Sequence, residues 1–243
     1  MTARAALAVL AAALSACDPP VTPPARTPPA WPERIARARQ AEPGRKPPLI
    51  VLLHGIGADE DDLFPLARVL DPRLTVVSVG APHAYYGGRA WFHVDFAPGG
   101  RVVPDVAQAR ATLADLVRWL ETAPARHDTD AARTFLLGFS QGGMMALGAL
   151  GTIPERLAGV VVLSSRFSTE LFPPTAPEDA IARVPLFVAH GTLDETLAVA
   201  NGRAIRDAFR HRNRDFTYRE YRVAHGIAEQ ETADVAAWLA ARL

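Results

Sequence analysis

Residues 134–143 read Thr134-Phe135-Leu136-Leu137-Gly138-Phe139-Ser140-Gln141-Gly142-Gly143, and this stretch decides the fold. Thr134 to Phe139 is a short apolar run of the kind that forms a buried strand, and Gln141 to about Leu150 reads as a helix. Gly138, Ser140 and Gly142 fall at the junction as a G-x-S-x-G pattern. A serine on a sharp strand-to-helix turn leaves no room for side chains two residues to either side, so glycine stands there. The turn lifts the serine Oγ clear of the sheet and sets it at a helix N-terminus. There the backbone amides and the helix dipole favour developing negative charge.

On both sides of the junction the chain alternates short apolar runs with longer segments of helical spacing. Leu49–Leu53, Leu74–Val79, Thr134–Phe139, Ala158–Leu163, Val184–Ala189 and Phe216–Val223 read as strands, the last of them polar-tinged and so near a sheet edge. Asp59–Leu70, Asp105–Thr122, Gln141–Leu150, Glu195–Arg210 and Ala228–Leu243 read as helices, and Glu33–Gln40 as a short lead-in helix. In Asp105–Thr122 the apolar residues Val106, Ala109, Leu113, Leu116, Val117 and Leu120 recur every three or four positions. Strands that alternate with helices specify an α/β domain over residues 48–243, with a mostly parallel sheet of six or seven strands covered on both faces. Residues 81–104 carry several Gly and Pro without strong periodicity and read as a long loop, of the kind that is either functional or disordered.

A serine hydroxyl is a weak nucleophile and needs an adjacent base. On this architecture the partners follow the serine in the order acid, then histidine. Three histidines follow Ser140: His190, His211 and His225. His225 comes just after the last strand, where it can reach the same rim as Ser140. His211 sits among arginines near a helix end, which suits a solvated surface role. His190 ends a strand before Gly191, and there it supports a turn. Asp194, four residues past the strand that ends at His190, is the acid that orients the base. Asp207 falls mid-helix and Asp215 in a basic turn. Leu53-His54-Gly55-Ile56-Gly57 follows the first apolar strand. A loop at that place supplies a backbone N–H, so the amides of Ile56 and Gln141 are the expected oxyanion donors. The acids Asp59, Glu60, Asp61 and Asp62 open a segment read as helical, where negative charge is favourable, and no metal site is assigned to them.

The chain has 243 residues, enough for one domain with a full core, of which 49% are hydrophobic and 21% charged. Formal net charge is +0 with Lys and Arg scattered, which forecasts no binding to nucleic acid. Cys17 is the one cysteine, so an intramolecular disulfide and a thiolate metal cluster are excluded. Its position is informative. Met-Thr-Ala-Arg is followed by an apolar run from Ala5 to Leu14, too short for a membrane span of roughly 20 residues. Leu14-Ser15-Ala16-Cys17 resembles the lipobox of bacterial lipoproteins. That resemblance implies a signal peptide over 1–16, acyl chains on Cys17 and attachment to a membrane of the bacterial cell envelope. Residues 19–32 hold repeated Pro-Pro pairs and suit an extended tether within the segment 17–47.

Taken together, the stretches Leu53-His54-Gly55-Ile56-Gly57, Ala81-Pro82, Ala90-Trp91-Phe92, Gly138-Phe139-Ser140-Gln141-Gly142-Gly143, His190-Gly191 with Asp194, and His225 resemble the phospholipase/carboxylesterase family of α/β hydrolases, which includes the acyl-protein thioesterases. The resemblance runs over roughly residues 48–243. It implies hydrolysis of small-molecule carboxylic esters, and of thioesters, without a cofactor. It also implies that Trp91 and Phe92 lie near the substrate. Two departures stand out. Family members often carry Val-Pro soon after the acid where this chain has Glu195-Thr196-Leu197, and Glu after the base where it has Gly226. Other functions compatible with these residues are a polyester depolymerase, a feruloyl esterase, a peptidase, or a non-catalytic binding module of the cell envelope.

Overall fold

The computed structural model describes residue 27 and residues 29–40, 42–98 and 101–243. Cys17, the signal-like segment 1–16 and the start of the tether lie outside the described residues. A seven-stranded sheet forms the centre. It is built from β1 (Glu33–Ala36), β2 (Pro48–Leu53), β3 (Thr75–Val79), β8 (Asp130–Phe139), β9 (Gly159–Leu163), β10 (Leu186–Gly191) and β11 (Phe216–Tyr221). The order across the sheet is β1-β3-β2-β8-β9-β10-β11, parallel throughout except for β1. Helices α1 (Val106–His127), α2 (Gln141–Leu150), α3 (Glu178–Ile181), α4 (Ala200–Phe209) and α5 (Glu229–Ala240) complete the α/β-hydrolase architecture. No helix of the described residues is long and apolar enough to cross a membrane.

The inner strands β2, β3, β9 and β10 read as largely apolar runs because both faces are covered. Successive side chains point to opposite faces. Leu49, Val51, Leu53, Leu136, Val160 and Val188 pack with Leu116 and Trp119 of α1, Met145 of α2 and Ile205 of α4. Their neighbours Ile50, Leu52, Leu137, Val161 and Phe187 pack on the other face with Val235, Trp238 and Leu239 of α5. The strand ends carrying Leu53, Phe139, Gly191 and Tyr221 lie along one edge of the parallel sheet, and the loops that follow them carry the candidate chemistry.

Four expectations need correction. Glu33–Gln40 is not a helix: Glu33 to Ala36 form the antiparallel edge strand, paired from Glu33 with Val79 to Ala36 with Val76. The open backbone groups of β3 outweigh the local helical preference of this segment. Asp59–Leu70 is not a regular helix either. It is a run of turns with a short 3₁₀ stretch at Phe64–Arg68, where Pro65 supplies no donor and the Asp59 side chain captures the Asp61 N–H. The helix expected from Glu195 begins only at Ala200, because residues 195–199 form turns after Asp194. Residues 81–104 are largely two hairpins, β4 (His83–Tyr85) with β5 (Gly88–Ala90) and β6 (Val94–Ala97) with β7 (Arg101–Pro104). The first turns through Tyr86 and Gly87, both at positive φ (42° and 88°), the conformation of a two-residue hairpin loop. Helix α1 begins on Asp105, whose side chain accepts the Gln108 N–H, and it continues past Thr122 and Pro124 to His127.

Candidate active site

Ser140 follows β8 directly and precedes the first residue of α2. Its backbone has φ 52° and ψ −116°, a region L-residues rarely adopt. The flanking glycines explain how such a turn can exist. A Cβ on Gly138 would overlap the Gly142 carbonyl, and a Cβ on Gly142 would overlap the Leu53 carbonyl. The Ser140 N–H donates to Leu163 O at the end of β9 (2.9 Å), and the Ser165 hydroxyl donates to Ser140 O (2.7 Å). Both backbone groups of the strained residue are therefore held by the end of β9 and the residues just after it.

The loops after β10 and β11 bring the other two groups in. Thr192 N–H donates to Tyr221 O and Leu193 N–H to Val223 O, which ties the loops together. Gly191 lets them approach, since a Cβ there would overlap the Val223 carbonyl. In this arrangement Ser140 Oγ lies 3.0 Å from His225 Nε2, and His225 Nδ1 lies 2.7 Å from Asp194 Oδ2. A carboxylate can only accept, so Nδ1 carries the proton and the Nε2 lone pair faces the serine hydroxyl. The Asp194 side chain is wholly buried, and its Oδ1 accepts the N–H groups of Thr196 and Leu197. These bonds satisfy a buried carboxylate without a formal cation. Phe139 packs its ring 4.9 Å from that of His225.

The loop His54–Gly57 lies against the nucleophile: a Cβ on Gly55 would stand 3.4 Å from Ser140 Cβ and 3.2 Å from the Phe139 ring. His54 fixes that loop. Its Nε2 accepts the Ala81 N–H (3.0 Å), so Nδ1 carries the proton and donates to Gly55 O (2.6 Å). Burial pushes the His54 ring below the usual histidine range, which favours this uncharged tautomer. The β4–β5 hairpin braces the same loop, with Gly57 N–H donating to Arg89 O and Arg89 N–H to Ala58 O. Among the described residues, the Ile56 and Gln141 N–H groups donate to no backbone or side-chain acceptor.

Trp91 and Phe92, expected beside the substrate, are instead buried in the core. Their backbone is needed where it is: Gln141 Oε1 accepts the Trp91 N–H (2.8 Å), and Gln141 Nε2 donates to Phe92 O (2.7 Å). Trp91 Nε1–H donates to His54 O (2.9 Å). The pair thus links the nucleophile helix to the His54 loop. This role of the Gln141 side chain was not read from the sequence, although a polar residue after the serine, between two apolar segments, was its signal. Among the described residues, no group of three or more His, Cys, Asp or Glu side chains is placed to hold a metal. A cavity of about 280 Å³ lined by Leu147, Leu150, Phe167, Phe172, Ile181 and Phe209 lies along the C-terminal half of α2, away from Ser140.

Comparisons with known proteins bear on the family and the fold. The sequence profile of the phospholipase/carboxylesterase family matches residues 37–243. Esterase YpfH of Escherichia coli (strain K12) is 28% identical over 170 residues, covering 66% of this chain and 67% of that protein. Acyl-protein thioesterase 1 of Eremothecium gossypii is 28% identical over 117 residues, and the match spans about half of that protein (48%). The crystal structure of esterase PE8 superposes with a TM-score of 0.72 at 28% identity, covering 88% of this chain and 99% of that one. That of the Bacillus cereus carboxylesterase superposes with a TM-score of 0.71 at 21% identity, covering 88% and 95%, a likeness of fold. With its α/β-hydrolase sheet and its profile match over residues 37–243, the chain belongs to the phospholipase/carboxylesterase family of ester-hydrolysing enzymes.

Proposed function

We propose that the protein hydrolyses carboxylic esters of small to medium acyl groups, and thioesters of the same acyl groups, through an acyl-enzyme on Ser140. The observation that carries this reading is the unbroken series of hydrogen bonds from Ser140 Oγ through His225 to the buried Asp194. As Ser140 Oγ attacks the ester carbonyl carbon, its proton passes to His225 Nε2. Asp194 holds the ring in the required tautomer and stabilises the imidazolium that forms. The carbonyl oxygen becomes an oxyanion, received by the amides of Ile56 and Gln141. Collapse of the tetrahedral intermediate expels the alcohol or thiol, which takes the proton back from His225. Water then attacks the acyl-enzyme with His225 again as base, releasing the acid and restoring Ser140.

Relatives named as esterases support the ester as substrate. A panel of p-nitrophenyl esters, feruloyl esters, a polyester and peptide amides, given to the parent and to Ser140→Ala, tests both class and mechanism. Hydrolysis of the p-nitrophenyl esters that is lost in the variant supports the reading. Preferential turnover of feruloyl or polyester substrates would transfer the assignment to those hydrolases, and no turnover of any member would favour a binding module. For location we propose a bacterial cell envelope, with the protein held to a membrane by acyl chains on Cys17. This rests on the sequence Leu14-Ser15-Ala16-Cys17. Cys17→Ala should release the protein from the membrane fraction, and unchanged membrane association would overturn it.

A further inference from the structure

Two histidines face the Asp194 carboxylate, and proton transfer at Ser140 uses only one of them. The other is His190 on β10, with a wholly buried side chain. Its Nε2 lies 2.6 Å from Leu197 O and 3.4 Å from Asp194 Oδ2. Both neighbours are acceptors, so Nε2 carries the proton and donates to the carbonyl, with the carboxylate a longer electrostatic contact. Leu197 returns the link, because its N–H donates to Asp194 Oδ1 (2.8 Å). On the far side of the ring, Nδ1 has no hydrogen-bond partner among the described residues. It faces Gly202 of α4, where a Cβ would stand 2.7 Å from both Nδ1 and Cβ of His190. The imidazole is thus wedged between α4 and the turn that carries the triad carboxylate.

We propose that His190 is a positioning residue for the triad: its Nε2–H, anchored on Leu197 O, fixes the plane of the Asp194 carboxylate and with it the angle at which His225 meets Ser140. The inference rests on the triad assigned under the proposed function. It accounts for a buried histidine that performs no proton transfer, and it makes Gly202, on a helix outside the triad loops, a determinant of activity. A displacement near 1 Å at a reacting group can cost about 100-fold in rate, so a small tilt of Asp194 is enough to matter.

Two substitutions differing by one methylene separate positioning from bulk. In His190→Gln the side-chain amide nitrogen reaches the place of Nε2, while in His190→Asn it reaches only the place of Nδ1. Three quantities are read for each: kcat and KM on a p-nitrophenyl ester, the far-downfield proton resonance of His225 Nδ1–H, and the thermal midpoint. The Asn variant should lose about 10- to 100-fold in kcat with KM altered less than about twofold. Its downfield resonance should weaken or move. The Gln variant should restore both to near the parent. Gly202→Ala, which retains His190 and raises local helix propensity, should also lower kcat through the displaced ring. Equal kcat in the Asn and Gln variants, or an unchanged resonance in the Asn variant with only the thermal midpoint lowered, would overturn the proposal. If the parent hydrolyses no ester, the functional reading fails by itself, while the resonance still decides whether His190 holds Asp194.

Discussion

Glu231 on α5 offers a quantitative test of the packing around the His225 loop. Its side chain is fully buried, Oε2 accepts the Ala228 N–H (3.1 Å), and Oε1 has no partner among the described residues. Burial pushes its carboxyl up to about 7 against an ordinary value of 4.5, opposed by that one hydrogen bond. At about 1.4 kcal/mol per pH unit, the gap makes the ionised form cost the folded state about 3 kcal/mol. The sign follows from proton binding. Between about pH 4.5 and about pH 7 the folded state keeps a proton that the unfolded chain releases, so this group's contribution to stability falls as pH rises through that window and is constant beyond it. Glu231→Gln presents an uncharged carbonyl to the same Ala228 N–H at every pH. Its NH₂ lacks a partner, as Oε1 does, and that cost is the same at every pH. Urea unfolding of parent and variant at about pH 4 and about pH 9 gives the difference in stability at each. The variant should gain about 3 kcal/mol relative to the parent between the two pH values. A difference independent of pH, or one that moves against the variant as pH rises, would refute the reasoning.

Further outcomes follow from the geometry of the site. Gln141→Ala keeps the oxyanion amide but strands the buried Trp91 N–H and Phe92 carbonyl; stability measured by urea unfolding should fall by about 1–3 kcal/mol, and kcat should fall more than KM rises. Asp194→Asn should leave the fold intact and lower kcat by about 10⁴-fold on a p-nitrophenyl ester, because an amide facing Nδ1 permits the wrong imidazole tautomer. Gly142→Ala drives a methyl into the Leu53 carbonyl, so it should abolish turnover and destabilise by about 3 kcal/mol or more, read by calorimetry against the parent.

The residues that act through backbone geometry were the most legible in the sequence. Gly138 and Gly142 flank Ser140 because no side chain fits against the Gly142 and Leu53 carbonyls, and that requirement shows directly as a pattern of glycines. His225 and Asp194 are read from the serine–acid–histidine order of this architecture together with strand position, Asp194 following the apolar run that ends at His190 and His225 following the polar-tinged last strand. What escaped were elements that depend on partners distant in the chain. Glu33–Ala36 has no strand-like alternation of its own and is recruited by the open edge of β3. The β4–β5 hairpin turns through Tyr86-Gly87 rather than the Asn-Gly or Asp-Gly that announces such a turn, and its strands are only three residues long. Trp91 and Phe92 were expected near the substrate from the family resemblance alone, and their side chains are buried. The bonds to Gln141 and His54 that bury them join residues 37 to 50 positions apart and leave no local signal.

The central claim is that Ser140, activated by His225 and Asp194, forms an acyl-enzyme. The most direct measurement follows p-nitrophenyl butyrate hydrolysis and fluorophosphonate labelling together in the parent and in Ser140→Ala. The account predicts turnover and stoichiometric labelling of the parent at Ser140, with both lost in the variant and turnover down by at least about a thousandfold. A folded parent that neither turns over nor labels, or a Ser140→Ala variant that keeps parental activity, would contradict it.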